Sequence, residues 1–256
     1  AEQTKPVGPA YIYPDQLYRV VLPDGREWVY DIDFTPTKAL EQRQIQYSYG
    51  GTQQDDFQCS FSDVLPNYIP RSYVSRVTHP NGLKAEFEVR PTIFGRSNVP
   101  KKLNSNPLIR INEFDRCFSN FSLIRKTLSG KGVSPLHWYY SYSQNPGQYV
   151  DGSGDYGPAP QALSGLPELP SGMSAMDLRS TTVVAPDGSK AIHVFDRRYN
   201  YSQDKEVATY LYDTDGTTLL QRNEMTYGQG SSIGKSQLFS GKWDGKIFLG
   251  SASTFE

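Results

Sequence analysis

The sequence predicts an all-β protein: antiparallel β-hairpin repeats forming a curved sheet, an open barrel or a sandwich, with long Gly/Pro-rich loops between them. One local pattern occurs three times, from Tyr18 to Tyr30, from Ser75 to Phe87 and from Thr181 to His193. Each copy is a β-prone run, a Pro-Asp-Gly or Pro-Asn-Gly corner and a second β-prone run. Aromatic residues make up 13% of the 256-residue chain, 18 tyrosines among them, and tyrosine suits a pleated, half-buried surface. Helix signals are slight and limited to Thr37–Gln44, where about two turns would fit.

The corners have a mechanical reading. Pro23, Pro80 and Pro186 fix φ at about −65° and suit the second position of a type I turn. Asp24, Asn81 and Asp187 tolerate the bridge-like position that follows. Gly25, Gly82 and Gly188 supply a positive φ with no Cβ penalty. A type I turn followed by a left-handed glycine is the three-residue hairpin loop with a G1 bulge, so each corner is predicted to be a hairpin tip. Beyond the tips the side chains alternate. Trp28, Tyr30 and Ile32 share one face in the first copy. Ala85, Phe87 and Val89 share one in the second, with Glu86 and Glu88 opposite, the pattern of a half-exposed strand. In the third copy Ile192 and Val194 occupy the other face as well, which predicts a strand covered on both sides.

The remaining elements follow the same logic. Ile45, Tyr47 and Tyr49 alternate as a further strand. One hairpin is predicted from Ser122–Ser129 through Gly130-Lys-Gly132 to Leu136–Tyr142. Another runs from Val207–Asp213 through Thr214, Asp215 and Gly216 to Leu219-Leu220 and on to Met225–Tyr227. Lys246–Leu249 reads as one more strand after Trp243-Asp-Gly245. Ser143–Gly172, rich in Pro, Gly, Ser and Gln, reads instead as a long loop or linker. The expected organisation is an N-terminal hairpin region over 1–142, a Gly/Pro/Ser-rich loop or linker over 143–175 and C-terminal hairpin repeats over 176–256, or one continuous domain. The irregular spacing of Pro23, Pro80 and Pro186 argues against a regular solenoid.

A formal net charge of −1 provides no basic field for nucleic acid or anionic lipid, and neither is expected as a partner. No apolar run approaches the ~20 residues of a membrane-spanning helix. The start at Ala1 fits a leader removed at a small-residue site, and fits a trimmed chain equally well. Cys59 and Cys117 lie outside any CxxC spacing, so no zinc or redox motif is expected. They either pair, closing a long loop worth about 4 kcal/mol in the chain-entropy model, or stay as buried free thiols.

Few residues point to chemistry, and no catalytic group, metal or cofactor is expected. Gly228–Ser236 has Gln229 where a phosphate-binding loop needs glycine, so it reads as a β-turn loop. Asp213-Thr-Asp-Gly216 brings its glycine too early for a calcium loop and reads as a hairpin tip. Asp151-Gly-Ser-Gly-Asp155 offers carboxylates and carbonyls to a cation, the weaker reading of a polar loop. No Gly-x-Ser-x-Gly elbow accompanies His79, His137 or His193. His193 aligns with Tyr30 and Phe87 and is expected to be a packing residue. Asp55, Asp56, Glu113 and Asp115 read as solvated charges. The binding candidates are Trp138, Tyr139, Tyr140 and Tyr142, with Tyr149 and Tyr156 nearby. Such rings stack on sugars or anchor protein partners. Alternation sets Tyr139 against Trp138, Tyr140 and Tyr142, so one face is expected to be core and the other available.

Tyr210-Leu-Tyr-Asp213 followed by Asp215-Gly216 resembles the tyrosine-aspartate (YD) signature of Rhs repeat proteins. Ser122–Val133 with Trp138–Tyr142 resembles strand pairs of the same bacterial family, and so does Thr182-Val-Val-Ala-Pro-Asp-Gly188. The resemblance covers roughly residues 75–90 and 120–227, with a weaker echo at 18–33. It rests on the order and joint occurrence of short motifs. It implies a secreted, cell-surface or periplasmic bacterial protein whose hairpins build a hollow shell, often around a toxic domain. It also implies a structural, non-catalytic role, with the rest of a longer Rhs polypeptide or another β-repeat segment as partner. The chain has too few repeats to close a shell and lacks the Asp-Pro-rich autoproteolytic core, so shell closure and toxin release are carried over to no residue. The alternative expectation is an aromatic-faced module that binds glycan or a cell-surface protein, and a β-scaffold hydrolase comes third.

Overall fold

A computed structural model of the chain describes residues 17–32, 72–100, 116–143, 147–150, 163, 166–232 and 245–255. The elements are β1 (Arg19–Val21), β2 (Glu27–Ile32), β3 (Tyr73–Thr78), β4 (Lys84–Gly95), β5 (Cys117–Gly130), β6 (Val133–Tyr142), β7 (Leu178–Val184), β8 (Lys190–Asp196), β9 (Glu206–Tyr212), β10 (Leu219–Ser232) and β11 (Gly245–Phe255). A short 3₁₀ turn at Ala175–Asp177 precedes β7. Among the described residues the protein is all-β, with eleven strands forming one antiparallel sheet that is not closed into a barrel. Strands neighbour one another in chain order throughout. Thr37–Gln44, Ile45–Tyr49, Cys59, Asp55, Asp56, Glu113, Asp115, Asp151–Asp155 and Tyr156 lie outside the described residues.

The hairpin tips have a common geometry with a clear cause. At the first, the Gly25 N–H donates to the Leu22 carbonyl at 2.9 Å and the Leu22 N–H to the Arg26 carbonyl at 2.8 Å. His79 to Leu83 and Ala185 to Ser189 repeat this pair of bonds. The glycines take φ of +80°, +88° and +89° at Gly25, Gly82 and Gly188. The middle residue does more than tolerate its backbone. Asp24, Asn81 and Asp187 each accept, on a side-chain oxygen, the N–H two residues on, at 3.0–3.1 Å, the bond that makes Asp and Asn turn residues. The tip at Asp213–Thr218 is wider. There Gly216 donates to the Asp213 carbonyl and Asp213 to the Thr218 carbonyl. Asp215 accepts from the Thr217 and Thr218 N–H groups and the Thr218 hydroxyl, and these bonds hold its carboxyl well below the usual carboxylate range.

The chain divides into two compact units. The first comprises Ala1–Gly50, Ser60–Thr92 and Ser119–Tyr140. Within it β2, β3 and β4 pair in register, Tyr30 opposite Val77 and Val77 opposite Ala85. Alternation therefore places Trp28, Tyr30, Val77, Ala85 and Phe87 on one face and Asp31, Arg76, Glu86 and Glu88 on the other. The charged face is laced with ion pairs: Arg76 with Asp31 at 3.1 Å and Glu86 at 2.6 Å, and Arg125 with Glu88 at 2.9 Å. Trp28 meets His79 edge-on at 4.4 Å between ring centres, and Tyr73 meets Phe121 at 5.6 Å.

The second unit comprises Gly51–Cys59, Ile93–Phe118 and Ser141–Glu256. Its core is Leu178, Ile192, Val194, Val207, Ala208, Tyr210 and Tyr212. The register explains this set. Thr182, Ile192 and Tyr210 lie side by side on β7, β8 and β9, as do Ser180, Val194 and Ala208. The period of two sends them to one face, and His193, Thr209 and Thr181 to the other. The sequence predicts β8 covered on both sides. Instead His193 and Phe195 are half-exposed while Ile192 and Val194 are buried. One face of the strand is core, and the other carries a histidine that packing does not seal. The layer over the core includes residues read in the sequence as loop or linker, since Leu163, Leu166, Leu169 and Met173 pack against it.

Candidate functional site

The β6 aromatics are placed by simple alternation. Tyr139 is 52% exposed, while Trp138, Tyr140 and Tyr142 are half-buried. In the first unit, Lys126 sits opposite Trp138 in register, with its ammonium 4.5 Å from the ring centre, a cation–π contact. On the other face Tyr139 lies 6.1 Å from His137, whose Nδ1 is 3.0 Å from the Thr127 hydroxyl. Burial pushes the Tyr140 phenol up. In the second unit, Tyr142 meets Phe94 edge-on at 6.0 Å. None of the four is fully buried, so the expectation of one core face and one open face resolves into a half-buried face and an exposed one. Tyr149, by contrast, is 3% exposed and faces the Arg116 guanidinium at 4.9 Å, which makes it a core residue of the second unit.

The second unit holds an arginine–aromatic assembly that the sequence does not announce. Arg179, on β7, lies over Phe94, Phe118 and Phe195 at 4.8, 5.8 and 5.6 Å and pairs with Asp204 at 3.0 Å. Burial lowers its pKa, against the pull of Asp204. Arg96 lies over Phe118 at 4.8 Å and Tyr199 at 5.9 Å. Beside it Asp196, fully buried, accepts a forked pair of bonds from Arg198 and one from the Ser202 hydroxyl at 2.6 Å. Arg197, 1% exposed, donates to the Met176 carbonyl at 2.7 Å. The bonds to Asp196 raise the Arg198 pKa, against the effect of burial, and together these contacts brace the loop between β8 and β9. The backbone folds there because Asp204 adopts a left-handed φ of +66° while its N–H donates to the Asp196 carbonyl.

The open face of β7–β9 carries one further polar cluster. His193 Nδ1 is 2.7 Å from Glu206 Oε1, and the Thr209 hydroxyl donates to the same oxygen at 2.6 Å. The bond to His193 is the largest cause that depresses the Glu206 pKa, with burial opposing it. His193, expected to be a packing residue, is thus a half-exposed hydrogen-bond partner of Glu206. The arrangement binds Glu206 between two donors.

Cys117 is 5% exposed and disulfide-bonded; Cys59 lies outside the described residues. Among the described residues no three His, Cys, Asp or Glu side chains are grouped to hold a metal ion, and no helix is long and apolar enough to cross a membrane. No family model, curated protein or solved structure matches the chain.

Proposed function

We propose that this chain is a non-catalytic structural segment of a secreted or surface-exposed bacterial protein of the Rhs type, a β-scaffold whose partner is another β-repeat segment or the rest of a longer polypeptide. The observation that carries the reading is the sheet order. Among the described residues, eleven antiparallel strands follow one another without a crossover, the arrangement that serially repeated hairpins build. An open sheet of this kind needs something at its edges to block further strand pairing, which fits a scaffold that is continued or capped by its partner. The test is the mass and location of the native polypeptide that contains this sequence. A secreted species several times longer than 256 residues supports the scaffold. A species of this length found in the cytoplasm overturns it.

A second reading is an aromatic binding module for glycan or a cell-surface protein. It is favoured by Tyr139, 52% exposed on β6 beside His137. A glycan and surface-protein binding screen of the whole chain, repeated with Tyr139→Ala, separates the two readings. Binding that Tyr139→Ala abolishes selects the module, and no binding leaves the scaffold.

A further inference from the structure

Leu163 and the segment from Leu166 to Met173 lie over the core of β7–β9 in an unusual way. Two tight turns frame it: the Leu166 N–H donates to the Leu163 carbonyl and the Met173 N–H to the Pro170 carbonyl, each at 3.2 Å. The three-residue spacing of Leu163, Leu166 and Leu169 brings the leucines repeatedly to one side of such a chain. These leucines and Met173 meet the core cluster, yet each stays only partly buried. Pro167 and Pro170 have no N–H to give to a ladder.

The polar fastening converges on one side chain. Arg222, on β10, donates to the Leu169 carbonyl at 3.2 Å and pairs with the carboxylates of Glu168 and Glu224. Its guanidinium lies 5.7 Å from the centre of the Tyr210 ring. The Tyr210 hydroxyl donates to the Glu168 carbonyl at 2.7 Å, and the Ser171 hydroxyl to Glu224 at 3.0 Å. Arg222 is 12% exposed while Glu168 is 71% exposed. The anchor is therefore rooted in the sheet and its outer partner stands in water. Beneath, Leu178, Val194, Ala208 and Tyr210 are at 0% and are held by their own strand ladders.

We propose that residues 166–173 form a detachable strap, clamped by Arg222 and Tyr210, which opens as a unit while β7–β10 stay folded and so uncovers the apolar face beneath it. The physical ground is a difference in attachment. Strands held by continuous ladders open only with the whole unit, whereas a segment held by a single backbone bridge at Leu166 and by side-chain contacts opens at lower cost. The strap makes apolar surface available without unfolding the sheet.

Hydrogen exchange on the full chain tests this. Amides of 166–173 are expected to exchange at least about tenfold faster than those of β8 and β9. Tyr210→Phe removes one hydroxyl and keeps the ring, and is expected to speed strap exchange by about five- to tenfold with strand exchange unchanged. Arg222→Ala acts in the same direction and more strongly, with a rise in binding of a hydrophobic dye. Equal exchange of strap and strands in the wild type overturns the proposal. So does a Tyr210→Phe chain in which strap exchange is unaltered, or in which strap and strands accelerate together. Should Arg222→Ala fail to fold, the Tyr210→Phe comparison decides.

Discussion

The tips at Pro23–Gly25 and Pro186–Gly188 make the same turn with the same pair of backbone bonds, yet the strands that leave them differ in burial. In the first unit no Val, Leu, Ile, Phe, Tyr or Trp side chain among the described residues is fully buried, and Val21, Val29, Ile32, Val133, Leu136 and Tyr139 are exposed. In the second unit Leu178, Val194, Ala208 and Tyr210 are sealed. The first unit gives one face of β2–β4 to Asp31, Arg76, Glu86 and Glu88, and exposed ion pairs of this kind contribute little each. The second gives one face of β7–β9 to aliphatic and tyrosine side chains and lays leucines over it. Burying each such side chain is worth about 1.5–3 kcal/mol. A hairpin motif thus specifies conformation, and a second layer is needed before it yields a core.

The comparison predicts unequal sensitivity. Leu178→Ala is expected to destabilise the protein by about 2–5 kcal/mol, the range for a sealed leucine. The corresponding loss at half-exposed Val77→Ala is expected to stay below about 1 kcal/mol, and denaturant unfolding of both variants checks the contrast. The glycines sharpen it next. Gly82 and Gly188 have nearly the same φ, but a Cβ at Gly82 meets nothing within 4 Å whereas one at Gly188 falls 2.4 Å from the Thr214 carbonyl oxygen. Gly82→Ala is expected to cost about 1–2 kcal/mol, the left-handed penalty alone. Gly188→Ala is expected to cost more, because the two neighbouring tips must separate; thermal unfolding of the pair would refute this if the two losses were equal.

A smaller effect concerns pH. Glu206 has its pKa depressed below 4.5 by His193, with burial opposing. A carboxyl whose folded pKa is depressed contributes stability above its unfolded pKa and loses it as pH falls through the folded value. The stability gap between wild type and Glu206→Gln is therefore expected to be full near neutrality and to shrink as pH drops below about 4.5. A melting-temperature series across that range reads it, and a constant gap would count against the pairing. The smallest effect is expected at Tyr139→Ala, within about 0.5 kcal/mol in stability because the ring is exposed, so any loss of binding it causes is not a folding defect.

Much of the local structure was legible. Pro23, Asp24 and Gly25 and their counterparts announce the tips because proline, an Asx side chain and glycine each satisfy one backbone requirement of the turn. Alternation placed Trp28, Tyr30, Ala85 and Phe87 on shared faces. His193 was misread because alignment with Tyr30 and Phe87 reports which face a residue occupies and says nothing of whether that face is covered. The strap was hidden by its composition: Pro, Gly and Ser read as loop, although the spacing of Leu163, Leu166 and Leu169 was a usable signal. Arg222 with Glu168, and Arg179 with Phe94 and Phe118, had no local signature, since their partners lie far away in the chain.

By itself the sequence determined strands, tips and face assignment, because these depend on interactions among residues a few positions apart. Only the tertiary structure decided which face became core, which arginines stack on rings and which proline-rich segment folds back as a cover. Burial and charge pairing arise between segments remote in sequence, where water is excluded by a second layer that no local pattern encodes.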